Sequence, residues 1–339
     1  MKSFASDNHA GTHESVLQAI SAANQGMAKA YGSDSFTEKA KAYFYNEFGS
    51  DAFVSFVFTG TAANIIALKA VCPSYGAIIC ADSAHLQNDE CGAPEAQIGA
   101  KLFLVKTPDG KLTPELIENQ ITLNSDVHKP KIKAISISQS TEYGTLYTCD
   151  EIKKLASFAH KNKLYLHLDG ARISNASAAL GVSFRAMTRD LGVDLVSFGG
   201  TKNGLMGAEA IIAFKSELKE PIEYLQKQSM QLGSKMRFVS AQFCAFFENE
   251  LWRQNALQAN RLTEKLYRGL ASLSGVKITQ TPQANALFAV FTTKQLEALQ
   301  KEFYFYVWNE RTLEVRLMTS FSTPEIWIDE FIKLAKSSS

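Results

Sequence analysis

Short apolar stretches alternate with amphipathic segments along the chain from about residue 33 onward. The apolar stretches are typical of buried strands, and the amphipathic segments are typical of helices. The predicted strands cover residues 53–58, 77–80, 101–105, 133–138, 164–169, 195–198 and 210–214. The predicted helices cover residues 37–48, 62–71, 113–120, 149–162, with Asp150 as N-cap, and 183–191. This alternation predicts an α/β fold with a mainly parallel sheet and helices on both faces.

The pattern changes after residue 220, and it predicts an almost entirely helical segment at 221–273. Short predicted strands then flank a helix, and a last helix closes the chain; these elements cover 287–291, 293–302, 303–308, 313–318 and 324–336. We interpret this part as a smaller α+β domain that is reached through a long helix near 238–270. The predicted division is therefore a large domain at 1–245, including the N-terminal arm, and a small one at 246–339.

Composition narrows the class of protein. Among the 339 residues, 46% are hydrophobic and 20% are charged, with a net charge of +1. Basic and acidic residues are interspersed, so nothing indicates a nucleic-acid or membrane surface. The five cysteines form no C-x-x-C pair, and no signal-peptide pattern opens the chain. We expect a soluble cytoplasmic protein.

Two charged residues follow predicted strands that are neighbours in sequence. Asp169 ends the run 164–169, and Lys202 lies in a Gly-Gly-Thr-Lys-Asn-Gly turn after 195–198. Pyridoxal phosphate (PLP) chemistry requires an amine that condenses with the cofactor aldehyde and a carboxylate that keeps the pyridine nitrogen protonated. Each residue alone also has an ordinary interpretation, Asp169 as a helix cap and Lys202 as a solvated loop lysine. The two glycines before Lys202 indicate that the backbone there approaches another group too closely for a side chain to fit.

Two further segments suit such a site. The turn containing Gly60 and Thr61 joins a strand to a helix, where free N–H groups favour a phosphate. Taken alone it is weak evidence, because such a turn is more often an ordinary helix N-cap. Arg172 follows Asp169 by three residues and offers a guanidinium fork for a substrate carboxylate.

The histidines could have either structural or catalytic roles. His85 lies in a loop after the predicted strand 77–80 and is either an ordinary loop residue or a ring on the cofactor face that moves protons. His167 shares a strand face with Asp169, and we favour a structural role for it. The histidines and carboxylates show no metal-ligand spacing.

The joint order of these segments is more informative than any one of them. A Thr-Gly-Thr turn, an Ala-His loop, Asp-Gly-Ala-Arg and Gly-Gly-Thr-Lys-Asn-Gly follow one another, and Val-Arg-Leu-Met-Thr-Ser-Phe closes the series at 315–321. This order resembles the PLP-dependent threonine aldolases of the β-eliminating lyase superfamily, in particular their low-specificity branch. The resemblance covers nearly the whole chain and implies the aspartate aminotransferase fold (fold type I).

The resemblance implies roles around the cofactor. Lys202 would form the Schiff base, and Asp169 would pair with the pyridinium nitrogen. Gly60 and Thr61 would hold the phosphate, and His85 would stack on the ring.

It also implies roles around the substrate. Ser6, Arg172 and Arg316 would bind the carboxylate, with Arg172 also bordering the cofactor. His128 would approach the β-hydroxyl, so that either it or His85 is the base.

A third group of implied roles crosses subunits of a homotetramer with shared active sites. Tyr31 would reach a neighbouring active site, and Arg237 would assist phosphate binding. Ser234 and Lys235 stand where the family usually has glycines, which is a departure beside Arg237.

The implied reaction is retro-aldol cleavage of L-threonine or L-allo-threonine to glycine and acetaldehyde. Other PLP reactions on the same scaffold remain open, including phenylserine cleavage, β-elimination, desulfuration and transamination. A catalytically silent PLP-binding protein and an α/β binding protein without PLP are the more distant alternatives.

Overall fold

The structure, a computed structural model, describes residues 1–121 and 127–338. Its strands are β1 (Lys2–Ser3), β2 (Phe53–Val57), β3 (Gly76–Ala81), β4 (Lys101–Val105), β5 (Lys131–Ser138), β6 (Tyr165–Gly170), β7 (Leu195–Gly199), β8 (Glu209–Ala213), β9 (Lys277–Gln280), β10 (Ala286–Val290), β11 (Phe303–Tyr304), β12 (Tyr306–Asn309) and β13 (Glu314–Met318). Its helices are α1 (Glu14–Ala23), α2 (Ser35–Phe48), α3 (Gly60–Lys69), α4 (His85–Asn88), α5 (Pro114–Ile121), α6 (Cys149–Lys161), α7 (Ile173–Leu180), α8 (Phe184–Met187), α9 (Lys219–Gln228), α10 (Arg237–Phe247), α11 (Leu251–Leu270), α12 (Thr293–Glu302) and α13 (Glu325–Ser337).

The large sheet of the described chain has seven strands in the order β2-β8-β7-β6-β5-β3-β4. All neighbouring pairs from β7 to β4 are parallel, whereas β8 runs antiparallel to both β7 and β2. The expected mainly parallel sheet is therefore confirmed. Because β8 is reversed, its first residue lies at the sheet edge where β2 and β7 end. The turns after β2, β6 and β7 meet at that same edge.

Aromatic side chains fill the core on one face of the large sheet. Phe44 and Phe48 of α2 pack edge-on against Phe198 of β7, with ring centroids 5.3 and 5.9 Å apart. Phe243 of α10 lies 5.0 Å from Phe44. Each such pair contributes about 0.5–1.5 kcal/mol beyond its buried area. This packing fixes β7, the strand that leads into the Lys202 turn.

A smaller antiparallel sheet, ordered β12-β13-β10-β9, lies in the C-terminal part of the chain. It shares a core with α11, α12 and α13. The N-terminus joins this part, because β1 pairs with β11 and Phe4 is fully buried in the same core. The boundary expected near residue 245 stays a prediction, and the contacts of residues 2–4 are with the smaller part.

Some predicted element ends differ from the structure. The N-cap of α6 is Thr148 rather than Asp150: the Thr148 hydroxyl accepts the Glu151 N–H, and the Glu151 carboxylate accepts the Thr148 N–H. This reciprocal capping box satisfies two helix N–H groups, whereas Asp150 lies in the first turn.

Other elements were missed or merged in the prediction. The sequence pattern does not predict helix α7, because its buried face consists mainly of small and polar residues, which do not produce an apolar stripe. The single long helix expected near 238–270 is two helices, α10 and α11. Asn249 and Glu250, both with φ of 53°, break it.

Within the described ranges, no helix has the length and apolar character needed to span a membrane. The same residues contain no cluster of three or more His, Cys, Asp or Glu side chains able to hold a metal ion.

Candidate active site

A pocket opens at the edge of the large sheet where β2, β6 and β7 end. The structure brings five predicted site residues together there: Gly60, Thr61, His85, Asp169 and Lys202 all line it. Such crevices at the carboxyl ends of parallel strands are the usual ligand sites of open α/β sheets.

The turn after β2 presents unpaired backbone donors to this pocket. Helix α3 begins at Gly60, two residues earlier than predicted, with Thr59 as N-cap accepting the Ala62 N–H at 3.2 Å. Gly60 and Thr61 therefore lie in the first helical turn, whose N–H groups have no partner within the helix. A Cβ at Gly60 would meet no atom within 4 Å, so the backbone faces open space. This geometry fits an anion such as a phosphate.

Asp169 is held at the end of β6 by two donors. Its Oδ1 accepts the Ala171 N–H at 3.0 Å, and its Oδ2 accepts the Asn64 side-chain amide at 2.9 Å. The same Asn64 nitrogen donates to Glu90 Oε1 at 2.8 Å. Asn64 thus links two buried carboxylates and fixes the orientation of Asp169 toward the pocket.

His85 opens the short helix α4 and is oriented by Glu90. Its Nδ1 lies 2.9 Å from Glu90 Oε1, and the Glu90 side chain is fully buried. Nδ1 therefore carries the proton donated to Glu90, which leaves Nε2 for the pocket. Burial alone would lower the pKa of His85, but the bond to Glu90 and the charge of Asp169 outweigh it, so the pKa is raised.

His167 lies beneath the pocket between two serines. Its Nδ1 and Nε2 are each 2.9 Å from a hydroxyl, those of Ser136 and Ser197. Burial lowers the pKa of His167 to about 4, so the ring is neutral near pH 7. These contacts join β5, β6 and β7 behind Asp169 and agree with the structural role favoured from the sequence.

Lys202 lies in a turn whose backbone packs closely against the backbone of neighbouring segments. A Cβ at Gly199 would lie 2.6 Å from the Cα of Ala171, and one at Gly200 would lie 2.6 Å from the Ala208 carbonyl oxygen. The two glycines are therefore required by close packing of adjacent turns. The sequence indicated a close approach there, and the structure identifies its partner as protein backbone.

A second region of the same crevice holds the predicted carboxylate ligands. Ser6, Arg172 and Arg316 line it, and His85 and Lys202 border both regions. Arg172 is already engaged: its Nε and Nη2 donate to the two oxygens of Asp7 at 2.7 and 3.1 Å. Neither contact uses Nη1. Burial opposes the charge on Asp7, but Arg172 offsets this and holds the pKa of Asp7 below its usual value.

Arg316 has a different environment. Its closest carboxylate oxygen belongs to Glu142 at 3.8 Å, and its guanidinium stacks on Trp308 at 4.6 Å from the ring centroid. Its Nε is buried without a hydrogen-bond partner in the described structure. Burial and the nearby charge of Arg172 lower the pKa of Arg316. This cation therefore retains donors that a bound anion would satisfy.

Comparison with known proteins identifies the family. Residues 3–294 match the family model described as beta-eliminating lyase. The chain belongs to the beta-eliminating lyase family. It is 42% identical over 298 residues to the low specificity L-threonine aldolase of Pseudomonas aeruginosa, covering 88% of this chain and 86% of that protein.

Solved structures of relatives share the fold. The threonine aldolase of Leishmania major is 29% identical, with a TM-score of 0.94 and coverage of 99% of both chains. Aspartate aminotransferase from Thermus thermophilus, 18% identical, has a TM-score of 0.69 over 97% of this chain and 89% of that one. The expected aspartate aminotransferase fold is therefore confirmed for this member of the beta-eliminating lyase family.

Three residues that were predicted to belong to the site lie outside the crevice of this chain. Tyr31 is half exposed, and its N–H donates to the Ser234 carbonyl at 3.0 Å. Arg237 donates to the Gly26 carbonyl at 3.2 Å. His128 is exposed and precedes β5. Because β5 runs parallel to β6 and its last residue, Ser138, pairs with Asp169, the start of β5 lies at the opposite edge of the sheet from Asp169. Their predicted roles would require another subunit.

Other crevice residues of this family member were not predicted from the sequence. Asp7, Asn64, Glu90 and Glu209 are buried polar residues at or beside the crevice. Asp7 follows the predicted ligand Ser6, and Asn64 lies three residues after Thr61, yet no spacing rule assigns either residue a partner. The stacking of Trp308 on Arg316 is set by a strand pair of the small sheet and left no signal in the sequence.

Proposed function

We propose that this chain binds PLP and cleaves L-threonine or L-allo-threonine to glycine and acetaldehyde. The observation that carries the proposal is one crevice holding an amine, a carboxylate, an oriented histidine and a helix N-terminus: Lys202, Asp169, His85 and Gly60. Membership of the beta-eliminating lyase family and the likeness to two named threonine aldolases support it.

The residues present fit this cofactor. The first turn of α3 offers N–H donors at Gly60 and Thr61 for the phosphate, in the open space where a Cβ would stand. Lys202 supplies the amine that bonds to the aldehyde. Asp169, oriented by Asn64, offers its carboxylate to the pyridine nitrogen. When bound, PLP supplies an electron sink that stabilises negative charge at the substrate α-carbon.

The substrate carboxylate is proposed to bind to Arg316, with Ser6 and the remaining Nη1 of Arg172. Arg316 is suited to this role because its nearest carboxylate, that of Glu142, lies 3.8 Å away and its buried Nε has no hydrogen-bond partner in the described structure. Arg172 is held rigid by Asp7, so its contribution is a fixed positive charge. Anchoring the carboxylate here orients the Cα–Cβ bond for cleavage, and such positioning supplies a large share of the acceleration.

His85 is the base that this chain's own geometry favours for the β-hydroxyl proton. Glu90 fixes the proton on Nδ1, so the neutral ring presents Nε2 as an acceptor. His128 remains the alternative base, contributed by a second subunit.

Assembly into a homotetramer with shared sites is part of the proposal. Its support is that Tyr31, His128 and Arg237 lie away from the chain's own crevice, while Phe58 and Met206, exposed apolar residues, line the crevice mouth. We further propose a cytoplasmic location and a functional division into domains 1–245 and 246–339.

The test is to purify the protein, record its visible spectrum with PLP and assay L-threonine, L-allo-threonine and D-threonine for acetaldehyde. The proposal expects a coloured protein that releases acetaldehyde from both L-isomers but not from D-threonine. Release of pyruvate or ammonia instead would assign a different PLP reaction. A colourless protein with no borohydride-reducible adduct would overturn the cofactor as well.

A further inference from the structure

Glu209 is a buried carboxyl group between the two turns that carry the proposed cofactor ligands. It is the first residue of β8 and pairs with Val57 of β2 on one side and Gly199 of β7 on the other. The strand reversal of β8 therefore inserts an acid between the α3 turn and the Lys202 turn. Its side chain lines the same pocket as Lys202 and is only 7% exposed.

The carboxyl group holds the turn that presents Lys202. Its Oε2 accepts the Gly200 N–H at 2.7 Å, and Thr201 contributes further hydrogen bonds. The Thr201 hydroxyl in turn accepts the Ala208 N–H at 3.3 Å, which closes the loop back onto β8. The side chains of Glu209 and Thr201 together thus tie the backbone on the two sides of this loop.

Holding the turn does not by itself explain an acid at this position. A glutamine would accept the same Gly200 N–H without the cost of burying an ionisable group. Burial raises the pKa of Glu209 to about 7, although its hydrogen bonds and the charge of Lys202 act to lower it. The other titratable groups lining this pocket are His85 and Asp169. An ionisable group at this buried position therefore needs a second explanation, and Lys202 is the cation in the pocket whose charge favours the ionised form of Glu209.

We propose that Glu209 positions Lys202 and supplies the negative charge that keeps the cofactor-bound nitrogen of Lys202 protonated. The interaction is reciprocal: if the positive charge of Lys202 favours ionised Glu209, ionised Glu209 favours the protonated nitrogen equally. Glu209 is a positioning residue in this account, since it acts through Lys202. The inference rests on the proposed function, because it assumes that Lys202 bonds to PLP.

The test is a pH titration of the visible absorbance of PLP-loaded wild type, Glu209→Gln and Glu209→Asp. Removing the charge while retaining the acceptor should lower the pH midpoint by about one unit in Glu209→Gln. Glu209→Asp should show a smaller shift, because the charge is kept on a shorter side chain. Glu217→Gln, an exposed acid just after β8, is the matched control and should titrate like wild type.

A second measurement covers the case in which no midpoint falls in the accessible range. Hydroxylamine attacks the protonated lysine–cofactor adduct faster, so Glu209→Gln should release PLP several-fold more slowly at mildly alkaline pH. A coloured Glu209→Gln protein with wild-type midpoint and release rate would overturn this inference alone. A wild-type protein that forms no coloured adduct would instead overturn the proposed function.

Discussion

The two halves of the crevice are built on different principles. The cofactor half belongs to the large sheet, where His85, Glu90, Asn64 and Asp169 form one continuous chain of hydrogen bonds. The substrate half combines the N-terminal segment with the small sheet, where Arg316 keeps a buried Nε without a partner in the described structure.

The difference separates side chains whose orientation the protein fixes from side chains that are left available to bind a ligand. Groups that must keep one orientation have their partners within the protein, which rigidifies them before any ligand arrives. A group that must bind an external anion is instead left short of partners, because an unmet buried donor makes a new bond more favourable. In the cofactor half, Asp169 illustrates the first case through its bonds from Asn64 and Ala171. In the substrate half, Arg316 illustrates the second.

The largest expected effect comes from the cofactor half. Lys202→Ala should abolish both the visible absorbance of bound PLP and acetaldehyde release, because none of the other described residues lining the pocket carries an amine. Absorbance spectra and an aldehyde assay measure the two losses. Lys153→Ala, at an exposed position of α6, serves as the control. A variant that kept colour and turnover would show that Lys202 is not the attachment site.

In the substrate half, Arg316→Ala should raise KM for L-threonine. Loss of one partner of a buried charged pair costs about 2–5 kcal/mol, which corresponds to a rise of roughly 30-fold or more. Steady-state kinetics measure this change, and the absorbance of bound PLP should be retained. Arg268→Ala, a surface substitution on α11, is the matched control. An unchanged KM would remove Arg316 from the carboxylate site and with it the contrast between the two halves.

Glu90→Gln tests the oriented histidine through pH. His85 acts as a base only when neutral, so kcat/KM should rise as pH passes upward through its raised pKa. Removing the Glu90 charge lowers that pKa, so the acidic limb should move to lower pH by about one unit. The exposed Glu95→Gln variant is the control. If the limb stays in place, another group is the base, and His128 from a neighbouring subunit becomes the first alternative.

The smallest effect is expected from Trp308→Leu. The stacking of Arg316 on this ring should contribute about 1 kcal/mol, so KM should rise roughly fivefold with kcat little changed. Kinetics at saturating PLP measure the change. A drop in kcat with constant KM would mean that Trp308 acts on the reacting atoms rather than on Arg316.

Much of the large sheet could be predicted because its strands are short apolar runs bounded by turn residues. The runs around Leu166 and Val196 are buried on both faces, so their local pattern and their final environment agree. Helix α7 could not be predicted, since its buried Ser174, Asn175 and Ser177 gain their helical state from tertiary packing. The break at Asn249 likewise depends on how α10 and α11 pack.

The site divides in the same way. Gly60, Asp169 and Lys202 lie at or just after the ends of strands, so their convergence could be expected from the rule for parallel sheets. Asp7 meets Arg172 across 165 residues, and Glu90 meets His85 across the short helix α4. No local pattern encodes either contact. The engagement of Arg172 with Asp7 is therefore visible only in three dimensions.

The first eight residues connect the two halves of the molecule in a way that affects protein engineering. Strand β1 pairs with β11, and Phe4 is buried in the core of the smaller C-terminal part. Ser6, Asp7 and Asn8 continue directly from this anchor to the crevice. Trimming these residues, a common step in preparing proteins for crystallisation, would remove the clamp on Arg172 along with the anchor. A shortened protein that still folds is therefore an unsafe reference for kinetics. Purification handles are better placed away from this end.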